Sequence, residues 1–135
     1  MTSVDLDRYF ERELRNMKEL ISEFNTYSCG RVATDLTKIC IIFEFPVGVF
    51  IGEFLEDIFN ELESLKEYNL KDKAKEEIID KIKDLLSYLL NNLHILFSNT
   101  LSEDIIKKMI DLRYVVTKVQ IEVFRTKRRR RLFPF

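Results

Sequence analysis

The class of this fold turns on residues 31–45, RVATDLTKICIIFEF. Their second half, with Ile39, Cys40, Ile41, Ile42, Phe43 and Phe45, is apolar nearly all round. Periodicity alone does not separate a buried helix from a buried strand in so short a run, and the β-branched residues favour a strand. The spacing of Val32, Leu36, Ile39 and Phe43 favours a helix, because steps of four and three keep side chains on one face at 3.6 residues per turn. Helical patterns on either side settle the reading. The stretch is expected to be a helix and the chain an all-α bundle of four to five antiparallel helices with short connections.

Upstream, Leu6, Phe10, Leu14, Met17, Ile21 and Phe24 predict a first helix over 4–25, with Ser3 or Asp5 as its cap. Tyr27, Ser28, Cys29 and Gly30 are read as the break after it. Downstream, Pro46 either kinks the chain or restarts it, since it lacks an N–H and suits a first helical turn. Val47, Phe50, Ile51, Phe54, Leu55, Ile58, Leu62 and Leu65 share a face of a third helix over 46–68. Gly48 and Gly52 form a small-xxx-small pair there, read as room for a neighbouring helix or a bulky Phe. A turn at 69–72 leads to a fourth helix over 72–98, buried through Ile78, Ile82, Leu85, Leu86, Leu89, Leu93 and Leu96. Thr100 to Glu103 reads as a capping box opening a fifth helix.

That fifth helix reaches at least Phe124 and carries two apolar stripes. Ile105, Met109, Leu112, Val116, Val119 and Val123 form the first, and Ile106, Ile110, Tyr114, Ile121 and Phe124 the second. The two lie about 100–160° apart at ~100° per residue. A helix apolar over more than half its circumference is either central to its bundle or half covered by another chain. The second stripe is therefore expected to be an oligomer interface, with the apolar 31–55 region as the other candidate.

Composition agrees with a helical bundle. The chain has 135 residues, 46% hydrophobic and 33% charged, with Gly 3 and Pro 2, which leaves little material for a turn-rich β-sandwich or a disordered chain. One Gln and two Ala beside 14 Ile and 17 Leu resemble thermophilic compositions, while seven Asn argue the other way. The charged N-terminal stretch has no signal-peptide core. The longest apolar run, 39–55, is interrupted by Glu44, Pro46 and Glu53 and is short for a membrane span. A soluble, cytoplasmic or otherwise intracellular protein is expected, with a virion component compatible with that.

Enzymatic chemistry finds little support. His94 is the only histidine, so paired ExxH di-metal motifs cannot form, and it reads as a flank or core residue of the fourth helix. Cys29 and Cys40 match no zinc spacing and are expected to be free thiols, Cys29 in an accessible loop. Glu44 and Glu53 could act as a buried acid–base pair, though a surface position is favoured. No phosphate-binding glycine loop is present. Neither a metal nor a cofactor is expected. Arg8, Arg12 and Arg15 could extend a polyanion surface, but Glu11–Arg15 and Arg15–Glu19 spacing reads as a solvated face.

The remaining signal is the C-terminal end. The net charge of −1 divides into a tail, residues 125–135, with six basic and no acidic groups, and a body, residues 1–124, with 16 basic against 23 acidic, or −7. Arg125, Lys127, Arg128, Arg129, Arg130 and Arg131 are expected to contact nucleic-acid phosphates, since arginine forks fit phosphate oxygens regardless of base sequence. Phe133 and Phe135 could stack on bases. The same residues would suit a protein groove that receives the Leu-Phe-Pro-Phe end, or less readily a membrane surface. The plainest reading is a basic helix end that complements its own macrodipole. The favoured function is a small non-enzymatic subunit of a nucleoprotein or coat complex; a protein–protein adaptor and a membrane-surface protein are the alternatives.

Overall fold

The computed structural model describes residues 3–132, with side chains described for 5–126. It is all-α, with five helices: α1 Ser3–Ser22, α2 Thr26–Ile42, α3 Pro46–Leu65, α4 Asp72–Asn91 and α5 Glu103–Leu132. Short 3-10 turns, Lys66–Tyr68 and Leu93–Phe97, follow α3 and α4. No strand occurs among the described residues, so residues 31–42 are helical as the spacing indicated. The helices form a bundle in which α1 packs between α2 and α4, α3 packs on α2, and α5 packs on α4 and reaches α3.

The first two helices end differently from the sequence reading. α1 stops at Ser22, where Phe24 takes a left-handed backbone (φ 54°). Its N–H bonds to the Ile21 carbonyl at 2.8 Å and the Asn25 N–H bonds to the Leu20 carbonyl at 2.9 Å, a Schellman closure. Asn25 then caps α2 by accepting the Ser28 N–H. The break expected at Tyr27–Gly30 is thus displaced to the preceding residues, and the helix passes through Gly30. A Cβ there would meet only Phe59 at 3.6 Å, an ordinary contact, so Gly30 has no breaking role. Cys29 is consequently buried inside α2 rather than exposed in a loop.

The α2–α3 junction repeats the same device. Glu44 is left-handed (φ 58°), with the Phe45 N–H on the Cys40 carbonyl and the Glu44 N–H on the Ile41 carbonyl. Pro46 is the first residue of α3, so it restarts the chain and kinks no helix. Glu44 and Glu53 both face solvent, which removes the buried acid–base pair. The two glycines do admit a neighbour: a Cβ at Gly48 would stand 2.5 Å from Cys40 Sγ, and one at Gly52 would overlap Thr37 Oγ1.

α4 ends at Asn91, seven residues earlier than expected. The chain needs the following 3-10 turn to close the end of the bundle, where Leu96 is fully buried and the Phe97 ring meets Phe10 at 5.4 Å and Phe45 at 5.0 Å, both edge-on. Ser102, not Thr100, caps α5. Its hydroxyl accepts the Ile105 N–H at 3.4 Å, so the expected four-residue box is shifted by two positions and lacks its carboxylate partner.

Candidate interaction helix

α5 is 30 residues long, about 45 Å, against 20 residues for α4. Its first stripe faces inward, with Ile105, Met109, Leu112, Val116 and Val119 buried and Val123 half-buried. Polar bonds line both flanks of that buried stripe. Toward α3, Glu61 accepts from Arg113 Nη1 at 2.6 Å and from Gln120 Nε2 at 3.1 Å, and the Arg113 guanidinium lies over the Phe54 ring. Toward α4, Lys118 Nζ donates to Glu77 and Lys108 Nζ to Asp84, each at 3.1 Å. Tyr88 donates to Asp104.

With both flanks tied, the arc between Arg113 and Lys118 is turned outward. That arc carries the second stripe: Ile106 is 39% exposed, Ile110 61%, Tyr114 67%, Ile121 46% and Phe124 63%. These five were singled out from the sequence as an interface, and none of them belongs to the core of this chain. α3 runs parallel to α5, since Phe54 meets Arg113 while Glu61 reaches on to Gln120. One turn before Phe54, Phe50 of α3 is also exposed.

The pairs with α4 also fix how far α5 extends. Asp104 lies by Tyr88, Lys108 by Asp84 and Lys118 by Glu77, an antiparallel register that brings Asp72, the first residue of α4, level with about residue 122. From there the α5 backbone stays helical for about ten more residues, ~15 Å. Arg125 is exposed on this extension, and the backbone of 127–131 is helical. The side chains of Lys127, Arg128, Arg129, Arg130 and Arg131 lie outside the described ones, as do Phe133 and Phe135 entirely. The basic segment thus begins as a continuation of the α5 backbone. At its base, Tyr68, Leu70, Val119 and Val123, with Glu67 and Glu122, line a cleft of about 640 Å³.

The remaining sequence candidates are dispersed. His94 is exposed in the 3-10 turn, beside a smaller cleft that also contains Ser98, Ser102 and Asp104. Ser98 donates its hydroxyl to the His94 carbonyl, and the Ser102 oxygen accepts the Ile105 N–H. Cys29 and Cys40 are buried free thiols, and burial pushes each up to about 12. Arg15 pairs with Glu11 at 3.0 Å and Arg12 with Glu13, a solvated face. Among the described residues no group of three or more His, Cys, Asp or Glu side chains could hold a metal ion. Among them, too, no helix is long and apolar enough to cross a membrane.

The Glu61 bridge was missed in the sequence reading. A signal existed: Arg113 and Gln120, seven residues apart, share one edge of α5, and Gln120 is the only glutamine in the chain. Comparisons with protein-family models, curated proteins and solved structures return no match to this chain.

Proposed function

We propose that this protein is a small non-enzymatic structural or complex-forming subunit that contacts the phosphate backbone of nucleic acid through the basic end of α5. It assembles with further copies through the open stripe of the same helix. The observation that carries the reading is the continuation of α5 past the level of Asp72 with six basic residues in positions 125–131. The rest of the chain, at −7, would repel a polyanion, so attraction is concentrated on that extension. Binding of this kind reads charge and spacing rather than base sequence. An intracellular or intravirion setting suits it.

The test is electrophoretic retardation of labelled DNA and RNA at rising salt, using the full chain and a chain lacking residues 125–135. Retardation at low salt that disappears at high salt, and disappears with the deletion, supports the reading. Absence of salt-dependent retardation of either nucleic acid at low ionic strength overturns it. In that case capture of an acidic protein, or of anionic vesicles, by the same segment would identify the adaptor or membrane-surface alternative.

A further inference from the structure

We propose that the open stripe of α5 is covered by α5 of a second copy, packed antiparallel about a twofold axis that passes between Tyr114 and Thr117. This deepens the assembly part of the function proposed above by naming the partner, the direction and the register.

The first support is the spacing of the stripe. With the half-buried Thr117 between its two halves, the stripe Ile106, Ile110, Tyr114, Thr117, Ile121 and Phe124 has nearly the same spacing in both directions, and Ile110 and Ile121 exchange places when it is reversed. Laid antiparallel, Ile110 falls opposite the second copy's Ile121, and Tyr114 opposite the second copy's Thr117. Ile106 falls at the second copy's Phe124 and Arg125. An isologous interface requires such a self-complementary surface, since each patch must meet its own copy reversed. Steps of three and four over this length also give the seam that two helices bury by knobs-into-holes packing.

The second support is charge. One edge of the stripe carries Asp104, Asp111, Lys118 and Arg125 at seven-residue intervals, two acids followed by two bases. Reversing one copy brings Asp104 beside the second copy's Arg125 and Asp111 beside the second copy's Lys118, each pair occurring twice by symmetry. Arg125 and Asp111 make no ion pair with any other described residue. Lys118 has three donors, so it can keep Glu77 and still face Asp111. A parallel pair would instead put Arg113 beside Lys118 and lay the two 127–131 runs side by side. Like charges therefore disfavour that direction.

The arrangement separates the two basic extensions. From the axis near residue 115–116 to residue 128 is about 12.5 residues, so the two backbones at that position stand about 38 Å apart along the pair. One turn of duplex DNA repeats at roughly 34–36 Å.

Sedimentation equilibrium on the full chain, with no nucleic acid present, tests the pairing separately from nucleic-acid binding. The wild type is expected at twice 16.2 kDa. Ile110→Glu or Ile121→Glu is expected at the single-chain mass with unchanged helical dichroism. Asp104→Arg and Arg125→Asp are each expected to weaken the dimer about tenfold, and the double swap to restore it to within about threefold of wild type. A wild type that stays monomeric at several hundred micromolar overturns the proposal. So does a dimer that ignores the Ile substitutions, or a double swap no stronger than the single ones.

Discussion

Gly52→Ala is a small change that should be felt strongly. In an exposed helix this substitution stabilises by about 1 kcal/mol, because alanine is the better helix former. Here the new Cβ would overlap Thr37 Oγ1 and stand 3.1 Å from Thr37 Cβ and 3.2 Å from Thr37 Cα. Rotating the threonine clears its oxygen but not the other two contacts, so α2 and α3 must separate by a few tenths of an ångström. Rotation also breaks the 2.8 Å bond from the buried Thr37 hydroxyl to the Ala33 carbonyl, worth about 1 kcal/mol. Overpacking adds about 1–3 kcal/mol. Against the gain in propensity, the net is a loss of about 2 kcal/mol, or about 8 °C in Tm for a chain of this size. Thermal and urea unfolding followed at 222 nm, at one fixed protein concentration, measure it. Thr37→Ala in the same chain removes the oxygen and should recover about half of the loss. A Gly52→Ala protein as stable as wild type, or more so, would refute the close-approach reasoning.

Three further outcomes follow from individual contacts. Glu61→Gln removes the charge that binds Arg113 and Gln120, and should lower stability by about 1 kcal/mol, discounted for the exposure of the pair; a double-mutant cycle with Arg113→Ala in urea checks that the loss is shared. Cys29 and Cys40, with thiols pushed up to about 12 by burial, should resist a thiol-reactive dye at pH 8 in native protein and react fully in denaturant, whereas rapid native labelling would contradict their burial. The buried Thr26 hydroxyl donates to Glu63 and, with help from Lys66, holds its carboxyl below the ordinary value near 4.5. A lowered carboxyl adds stability above its unfolded pKa and loses it as pH falls through the folded one, so the cost of Thr26→Ala in urea should be larger at pH 6 than at pH 2.5.

Where periodicity was strong, the sequence was sufficient. The inward faces of α1, α4 and α5 were legible because three- and four-residue spacing marks one face of a helix, and the second stripe of α5 was legible as a stripe for the same reason, exposed though it is in this chain; on α3 the same spacing also drew in Phe50, which faces solvent. Helix ends were not. Phe24 and Glu44 terminate their helices in a left-handed conformation that glycine usually occupies, so nothing local announced the stops, while Gly30 offered a false one. The end of α4 was hidden because Leu93, Ile95 and Leu96 remain apolar in a 3-10 turn. The Glu61 bridge joins residues far apart in sequence, and only the packing of α3 beside α5 brings them together. The reach of the basic segment likewise depended on the α4–α5 register, which the sequence does not state.

The role given to the end of α5 is testable in one titration. Fluorescence anisotropy of a labelled duplex, repeated from low to high potassium chloride, yields affinity as a function of salt. Five engaged phosphate contacts from 127–131, with Arg125 held by Asp104 across the pair, would give a slope of about −4.5 in log affinity against log salt, with about 0.9 from each; a sixth from Arg125 would bring it to about −5, and fewer contacts a proportionally shallower line. A steep negative slope for the full chain, abolished by deleting residues 125–135, is the expected result. A slope near zero, or binding that survives the deletion unchanged, would contradict it.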